Sequence, residues 1–268
     1  MITLSGLYQF PVKSMAGVAL QHSTVDALGL AGDRRWMVVD AQTGKFITQR
    51  QVASMGLLSA VHAAEDSLLL RDAQGQQLSI DVPNGAQSER AVQVWGDMLQ
   101  ALDAGEAAAQ WLTHRLGRDC RLVYVDEPRA RQVALEYAAA GDKVGFADGF
   151  SLLLIGQASL DDLSARIGRP MSMLRFRPNL VVSGAEPYAE DTWQRIRIGD
   201  IEFSLAKPCS RCVIPTRDPF TLLAEPDGEP LTTLKTYRRR DGQIFFGQNL
   251  VHHAVGQLQV GMPVEVLA

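Results

Sequence analysis

Cysteine, positive charge and long apolar stretches are all scarce in this sequence. Three cysteines in 268 residues are too few for a disulfide framework. Because the net charge is −4, general nucleic-acid binding, which relies on an excess of basic residues, is disfavoured. No apolar run approaches the roughly 18 to 20 residues that span a bilayer, and the first residues lack the pattern of a signal peptide. We therefore expect a soluble, cytoplasmic protein with no nucleic-acid partner and no membrane span.

Apolar residues are abundant, at 46%, and their spacing predicts mainly strands. In residues 1–95, short apolar runs alternate with turns, as at 35–40 and 46–50. Strands spaced this closely favour a barrel or a sandwich over βαβ units. A helix is predicted to begin at Asp103, which stands at capping-box spacing from Glu106.

The second half of the chain is predicted to be mixed but still mainly β. Residues 126–147 lack a clear pattern and are expected to form a long excursion, which is often a lid or a binding loop. Residues 159–167 carry apolar side chains at helical spacing, and a short helix is expected near residues 231–237. The pattern is weakest near residue 120, which predicts a small β-rich N-terminal part and a larger mixed β domain.

Cys209 and Cys212 form a C-x-x-C motif after a predicted strand, and four interpretations of the motif stay open. A zinc site needs about four nitrogen or sulfur ligands, and no second pair of suitable residues has finger spacing. A thioredoxin-like dithiol requires a helix after the motif, whereas prolines follow here. A single thiolate could bind a soft or high-valent metal of an organic cofactor, with Arg211 and Arg217 as cationic neighbours. Both cysteines could also be buried structural residues.

Three other segments carry residues that are suited to binding an anion or a polar ring. Lys13 and Ser14 follow a predicted strand and could hold a phosphate through a charge and several donors. Arg34 stands in a pair of arginines that could grip an anion with two hydrogen bonds. Arg177 and Asn179 flank a proline before a predicted strand, a rigid arrangement that suits a planar ring. Taken alone, each segment is explained more simply as a solvated surface turn.

Six motifs are more specific together, in this order, than any one of them is alone. They are Val12-Lys13-Ser14, Asp33-Arg34-Arg35-Trp36, Phe176-Arg177-Pro178-Asn179, Tyr188-Ala189-Glu190-Asp191-Thr192-Trp193, Cys209-Ser210-Arg211-Cys212 and Phe246-Gly247-Gln248-Asn249. Over residues 2–267 the chain resembles the MOSC family, named for the C-terminal part of molybdenum cofactor sulfurase, and above all its amidoxime-reducing members. The resemblance implies a mixed, mainly β fold, with a MOSC N-terminal β-barrel domain at residues 1–120 and a β-barrel-like MOSC domain at residues 121–268.

The resemblance also implies a molybdenum cofactor bound between the two domains. The thiolate of Cys212 would be the molybdenum ligand and the catalytic group. The implied cofactor-binding residues are Lys13, Ser14, Arg34, Gly149, Phe150, Arg177, Asn179, Ser210, Arg211 and Asn249. Gly149 and Phe150 stand where the eukaryotic family members have a Thr-Ser pair, and Asn249 stands where those members have a tyrosine. Side-chain contacts are therefore expected to differ at these three positions.

The implied activity is the two-electron reduction of small N-hydroxylated or N-oxygenated compounds. Electrons would come from a separate ferredoxin- or cytochrome-type protein with its reductase, since no iron–sulfur cluster is expected in this chain. No pyridoxal phosphate is expected either. The alternative is a carrier of sulfur or of the molybdenum cofactor, with Cys212 as the persulfide site. A third possibility is a structural protein whose cofactor site has decayed.

Overall fold

Strands form most of the regular structure in the computed structural model, which describes residues 1–64, 66–85 and 88–268. The strands up to residue 124 are β1 (Thr3–Gln9), β2 (Val18–Leu20), β3 (His22–Asp26), β4 (Gly29–Leu30), β5 (Trp36–Asp40), β6 (Ser59–Ala64), β7 (Ser67–Arg71), β8 (Gln77–Asp81), β9 (Glu89–Val94), β10 (Asp97–Asp103) and β11 (Cys120–Tyr124). The later strands are β12 (Arg131–Gln132), β13 (Lys143–Val144), β14 (Leu152–Gly156), β15 (Leu180–Ser183), β16 (Arg195–Ile198), β17 (Ile201–Ser210), β18 (Arg239–Arg240), β19 (Gln243–His252), β20 (Gly256–Gln259) and β21 (Val264–Val266). The mainly β fold predicted from the sequence is confirmed.

The helices are few and short. The α-helices are α1 (Glu106–Leu116), α2 (Gln157–Ile167) and α3 (Leu231–Tyr237), and the 3-10 helices are Ala53–Leu57, Met173–Arg175, Ala189–Asp191 and Ile214–Thr216. Within the three described ranges, no helix is both long enough and apolar enough to cross a membrane.

A nine-stranded sheet combines strands from both ends of the chain. Its strand order is β2-β1-β15-β14-β19-β17-β16-β21, with β18 paired to β19. Only β14 and β15 pair in parallel among the ladders of this sheet. The smaller sheets are β5-β11-β10-β9, β20-β3-β4, β6-β7-β8 and β12-β13. Residues of the second half that are far apart in sequence therefore meet at the ends of neighbouring strands.

β14 is apolar along its whole length because both of its faces are covered. Leu152 and Leu154 pack into one apolar cluster, while Leu153 and Ile155 pack into another. A nearly continuous apolar run is typical of a strand that is buried on both sides. A further cluster around Trp36 packs the strands of the N-terminal half. The packing of β14 on both faces therefore fixes the position of residues 149 and 150, which directly precede it.

The sheets do not close into the barrels that the family resemblance implied. In the described part of the chain each sheet has two edges, and the nine-stranded sheet runs from β2 to β21. Backbone hydrogen bonds of 2.9 Å from Leu4 N to Met262 O and from Val264 N to Ile2 O still connect the start of β1 with the start of β21. This pairing is limited to a single bridge, between Thr3 and Pro263.

The first α-helix begins three residues later than the sequence predicted. Asp103 ends β10, and its carboxylate accepts a hydrogen bond from Gly105 N and forms a salt bridge with Arg121. The prediction was wrong because this tertiary ion pair uses the carboxylate that a capping box at Glu106 would need. The end of α1 is as expected, since Gly117 adopts the left-handed conformation with φ 62°.

The excursion predicted at residues 126–147 contains a small hairpin, in which β12 pairs with β13. The guanidinium of Arg131 donates hydrogen bonds to the carbonyls of Gly145 and Ala147 and forms a salt bridge with Asp97. These bonds fix the chain immediately before residues 147–150.

The division of the chain at residue 120 stays a prediction. β1 lies before this point and pairs with β15, and β3 lies before it and pairs with β20. A cut at residue 120 would therefore separate strands that share ladders and would expose the buried side chains of Leu4 and Leu7.

We expect a fragment of residues 121–268 to remain unfolded when it is produced alone, because its largest sheet lacks two strands. Urea titration followed by circular dichroism should show no cooperative transition. Co-expression with residues 1–120 should restore the transition of the full chain. A cooperative transition of the fragment alone would instead support independent domains.

Candidate functional site

One cleft collects every site residue that the sequence analysis selected. Its volume is about 880 Å³, including space that is open to solvent. The selected residues that line it are Lys13, Ser14, Arg34, Gly149, Phe150, Arg177, Asn179, Ser210, Arg211, Cys212 and Asn249. They come from separate parts of the sequence, so tertiary structure alone brings them together.

The backbone is in the left-handed region at three of these residues. Ser14 has φ 67°, Arg34 has φ 47° and Arg177 has φ 55°. Seven non-glycine residues in the described ranges have a positive φ, and three of the seven line this cleft. Since each such residue costs about 1–3 kcal/mol, the conformation is retained where the surrounding structure enforces it, most often at functional sites.

Arg34 and Arg177 lie against the same aromatic ring. Their guanidinium carbons are 4.4 and 4.1 Å from the ring centroid of Phe10, a distance at which the ring attracts a cation. Arg34 also forms a salt bridge with Asp33 and donates to the Asn179 side-chain oxygen at 3.0 Å. The ring and these partners hold two mutually repelling cations at the wall of the cleft.

Arg177 differs from Arg34 because no carboxylate forms a salt bridge with it within the described residues. Its Nη1 donates to the carbonyl of Met15 at 2.7 Å. Burial, followed by repulsion from Arg34, lowers the pKa of Arg177 to about 9. Since this pKa is still above 7, Arg177 is a cation at neutral pH. An anion in the cleft would neutralise this charge.

Lys13 is buried in the cleft lining, where its ammonium donates to Phe146 O at 2.7 Å and Asp148 Oδ1 at 2.5 Å. Burial lowers the pKa of Lys13, while Asp148 partly offsets this effect. Burial would raise the pKa of Asp148, but Lys13 and the Trp95 indole, which donates at 3.1 Å, outweigh burial and hold this pKa at about 2. The Asp148 carboxylate is therefore ionised at neutral pH.

Asn179 was expected to recognise a planar ring, but the protein itself uses both ends of its side chain. The oxygen accepts from Arg34 and from the backbone N of Leu153 at 3.2 Å, and the nitrogen donates to Tyr8 O at 3.2 Å. Asn179 lines the cleft, and its contacts are those of a residue that holds Arg34 in place.

The two cysteines of the C-x-x-C motif are in different surroundings. Cys209 is half-buried, and Cys212 is exposed at the end of β17. The predicted cationic neighbours of a Cys212 thiolate are engaged elsewhere: Arg211 Nη1 contacts Cys209 Sγ at 3.1 Å, and Arg217 donates to Leu222 O at 3.1 Å. Nothing in the local sequence distinguishes which sulfur an arginine side chain will face.

Donor groups for a metal are few in this part of the molecule. Across the described ranges, no group of three or more His, Cys, Asp or Glu residues could hold a metal ion. The sulfur donors that line the cleft are Cys209 and Cys212. Arg211 Nε is buried without a hydrogen-bond partner, while its Nη2 donates to Phe176 O at 2.7 Å. A polar group of a ligand could satisfy this orphaned N–H.

The three positions at which side-chain contacts were expected to differ also lie in the cleft. Gly149 faces open space, with no atom within 4 Å of where a Cβ would be. The ring of Phe150 packs edge-on against Tyr137, with centroids 5.6 Å apart. Asn249 donates to Lys207 O at 3.2 Å. At Gly149, therefore, only the backbone could contact a ligand.

Sequence reasoning missed several residues of the cleft, above all Arg50 and Asp148. Arg50 ends a segment that was interpreted as a strand, and its guanidinium lies 5.0 Å from the Trp95 ring. Asp148 directly precedes the predicted Gly149 and Phe150 pair. Asp148 could have been suspected from the sequence only because it lies between this pair and the long excursion predicted at residues 126–147.

Comparisons with known proteins agree with this architecture. Residues 1–119 match the MOSC N-terminal beta barrel domain, and residues 141–265 match the MOSC domain. The chain is 34% identical to "Mitochondrial amidoxime-reducing component 1" of Mus musculus, over 99% of this chain and 82% of that protein. It is equally identical to the Homo sapiens protein of that name, over 99% and 83% of the two chains. It is 30% identical to "Molybdenum cofactor sulfurase" of Arabidopsis thaliana, over 91% of this chain and 32% of that protein. With this identity over nearly its whole length, the chain belongs to the MOSC family.

Proposed function

We propose that this protein is a molybdenum-cofactor-dependent reductase of small N-hydroxylated and N-oxygenated compounds. For an amidoxime, two electrons and two protons would break the N–O bond and yield an amidine and water. The relatives named as amidoxime-reducing components support this reaction class. MOSC family membership supports a function related to the molybdenum cofactor.

The charge of the cleft is the observation that carries the proposal. Six lysine and arginine side chains line it, against the single carboxylate of Asp148. Asp33 compensates Arg34, and Asp218 and Glu225 compensate Arg175, while Arg177 has no carboxylate partner among the described residues. A phosphorylated pterin is a polyanion with a planar polar ring, so it fits this cleft in charge.

The residues present allow specific roles toward that cofactor. Lys13, Arg34 and Arg177 would hold its phosphate, and Arg211 would contact the pterin through its orphaned N–H. The Cys212 thiolate would be the metal ligand, because a thiolate is a soft donor that suits molybdenum. When bound, the cofactor would supply the two-electron chemistry. The chain would supply position, charge and access.

The proton needed at the substrate does not come from Asp148. Because the pKa of Asp148 is about 2, this carboxylate carries no proton at neutral pH. Its role would be to keep the Lys13 ammonium charged and fixed at the cleft wall.

Electrons would come from a separate ferredoxin- or cytochrome-type protein with its reductase. The three cysteines of the sequence are fewer than the four that a cysteine-ligated iron–sulfur cluster needs. A cytoplasmic location stays a prediction, since the relatives reported above carry the word mitochondrial in their names.

A carrier function is the second candidate, and the exposure of Cys212 favours it. An exposed thiol can accept and deliver sulfur as a persulfide, and one relative is named molybdenum cofactor sulfurase. The two functions differ in whether molybdenum and pterin stay bound in stoichiometric amounts.

The two cysteines should respond differently to substitution. Cys212→Ser is expected to lower the rate of benzamidoxime reduction by about 100-fold or more, since a hydroxyl is a poor substitute for a soft thiolate. Cys209→Ser should retain the rate within about threefold, because the polar contacts of its sulfur are with Arg211 and with Ser210 O of this chain. The measurement is the amidine formed with a chemical reductant.

Metal analysis of the same proteins, made in a host that supplies the cofactor, separates the candidates. Stoichiometric molybdenum and pterin in the wild type, lost in Cys212→Ser, would support the reductase. An equal loss of rate in both variants would instead support a dithiol function, in which both cysteines take part. Metal-free wild-type protein that carries a persulfide would favour the carrier.

Arg177→Met should stabilise the cofactor-free protein while abolishing cofactor binding. Removing a desolvated cation that repels Arg34 is expected to raise the free energy of unfolding by about 1–2 kcal/mol. Arg175→Met is the matched control, because Arg175 forms salt bridges with Asp218 and Glu225. It should lower that free energy by roughly 2–3 kcal/mol.

Urea denaturation of the cofactor-free variants measures both effects, and pterin retention measures the binding. A lower free energy of unfolding in Arg177→Met would mean that the charge of Arg177 stabilises the folded protein. The charge argument for the cleft would then fail.

A further inference from the structure

We propose that an exposed apolar and arginine-rich surface beside Cys212 docks an acidic electron-carrier protein. This docking surface consists of Val213, Phe220, Leu223, Arg217, Arg239 and Arg240. The inference rests on the proposed reductase function, because a reductase of this kind needs two electrons for each substrate molecule. A one-electron carrier would deliver them in two encounters, and two protons from solvent would complete the water that leaves.

The apolar part of the surface follows directly after the exposed thiol. Val213, Phe220 and Leu223 are 55%, 67% and 71% exposed. Ten large hydrophobic residues are exposed in the described part of the chain, and these three fall within eleven consecutive positions. Isolated exposed apolar residues need no explanation, whereas a cluster beside a candidate redox site indicates an interaction surface.

The loop that carries these residues is held in one conformation by its own hydrogen bonds. Asp218 Oδ1 accepts from the backbone N of Phe220 at 3.0 Å and of Thr221 at 2.8 Å. A bridge joins Arg217 to Ala224 across the loop. Leu222 points inward and is buried, while Phe220 and Leu223 point out. The exposure is therefore imposed by the local backbone structure.

The carboxylates of this loop form salt bridges with other residues of the same chain. Asp218 and Glu225 form salt bridges with Arg175, and Glu225 and Asp227 form salt bridges with Arg169. These three carboxylates thus share two arginines from another part of the chain, which compensate most of their negative charge.

The arginines of the docking surface have no such partners. Sixteen of the 26 lysines and arginines form salt bridges within the described residues, which leaves ten that do not. Arg217, Arg239 and Arg240 are among those ten. Asp241, in the turn after Arg240, is the one carboxylate in the β18–β19 hairpin. The net charge of the surface is therefore positive, although that of the whole chain is −4.

The sheet register places these arginines near the thiol. Arg239 pairs with Ile244 on one side of β19, and Ser210 pairs with Phe245 on the other side. Since neighbouring strands are about 4.8 Å apart, the backbones of Arg239 and Ser210 lie about 10 Å apart. Arg211 N also donates to Ile244 O at 2.7 Å. The charges and the end of β17 therefore share one end of the sheet.

An acidic protein fits this surface better than a small anion does. Apolar side chains outside the cleft add nothing to the binding of a small charged molecule, whereas a protein partner buries them at the centre of an interface. Unpaired arginines at the rim steer a negatively charged partner and fix its orientation. The position beside Cys212 suits a partner whose redox group must approach the cleft.

The double variant Phe220→Ser/Leu223→Ser tests the apolar part with two reductants and the cofactor-loaded protein. With a reduced acidic [2Fe–2S] ferredoxin as donor, kcat/KM for the donor should fall about tenfold or more. With reduced methyl viologen, which needs no docking, benzamidoxime reduction should stay within about twofold of the wild type. Val255→Ser is the matched control, since Val255 is 68% exposed and follows the opposite end of β19.

The double variant Arg239→Glu/Arg240→Glu tests the charge. It should lower the ferredoxin rate and weaken its dependence on salt, because both arise from attraction between opposite charges. Arg71→Glu, on β7 and also without a salt bridge among the described residues, is the control. An acidic b-type cytochrome serves as a second donor in the same assays.

Three results would overturn the docking surface. One is an equal fall with ferredoxin and methyl viologen, which would mean that the variants damage the cleft. Another is no fall with either protein donor, or no binding of either donor to the wild type by calorimetry. The third is dissociation of a wild-type dimer by the variants in sedimentation, which would assign the surface to a second copy. A wild type that does not reduce benzamidoxime even with methyl viologen refutes the reductase function instead, and calorimetry with the two donors then tests the surface alone.

Discussion

Repulsion between Arg34 and Arg177 is the constraint around which the cleft is built. Two guanidinium groups on one aromatic ring are unfavourable unless each is restrained. The ring of Phe10 supplies an attractive face, and Asp33 compensates one of the two charges. The left-handed backbone at both arginines adds a further cost. A protein retains such an arrangement when a bound anion provides the missing compensation.

The stability that tolerates this arrangement comes from the sheets behind it. β14 packs apolar side chains into a cluster on each face. β17 pairs with β19, and the cysteine motif begins in the last residues of β17. Burial of this apolar surface is the dominant favourable contribution to folding. The fold can therefore tolerate left-handed residues and neighbouring like charges in the cleft. Polar residues such as Asn179 hold the charged side chains in position there.

The sequence predicted the cleft better than it predicted the local geometry. Lys13, Arg34, Arg177 and Cys212 were selected because the short motifs that contain them follow one another in the same order as in the MOSC family, although they lie far apart in the chain. The start of α1 was missed because an ion pair from a distant strand took the capping carboxylate. The partner of each guanidinium was missed for the same reason: Arg211 faces Cys209 through tertiary packing, which no local pattern encodes. Closure into barrels depended on pairing between the two ends of the chain, and this pairing is limited to one bridge, between Thr3 and Pro263.

The pairing of both chain ends in one sheet has a consequence for when the cleft can form during synthesis. Its walls include residues from Lys13 to Asn249, and β1 finds its neighbour β15 only after about 180 residues have been made. Contacts of such long sequence separation form late, because closing a long loop costs entropy before any contact is gained. β1 and β3 therefore lack their partners β15 and β20 until residues 180–183 and 256–259 have been made. A ligand that contacts the whole lining of the cleft can bind only after residue 249 has been made, to a sheet that is already assembled.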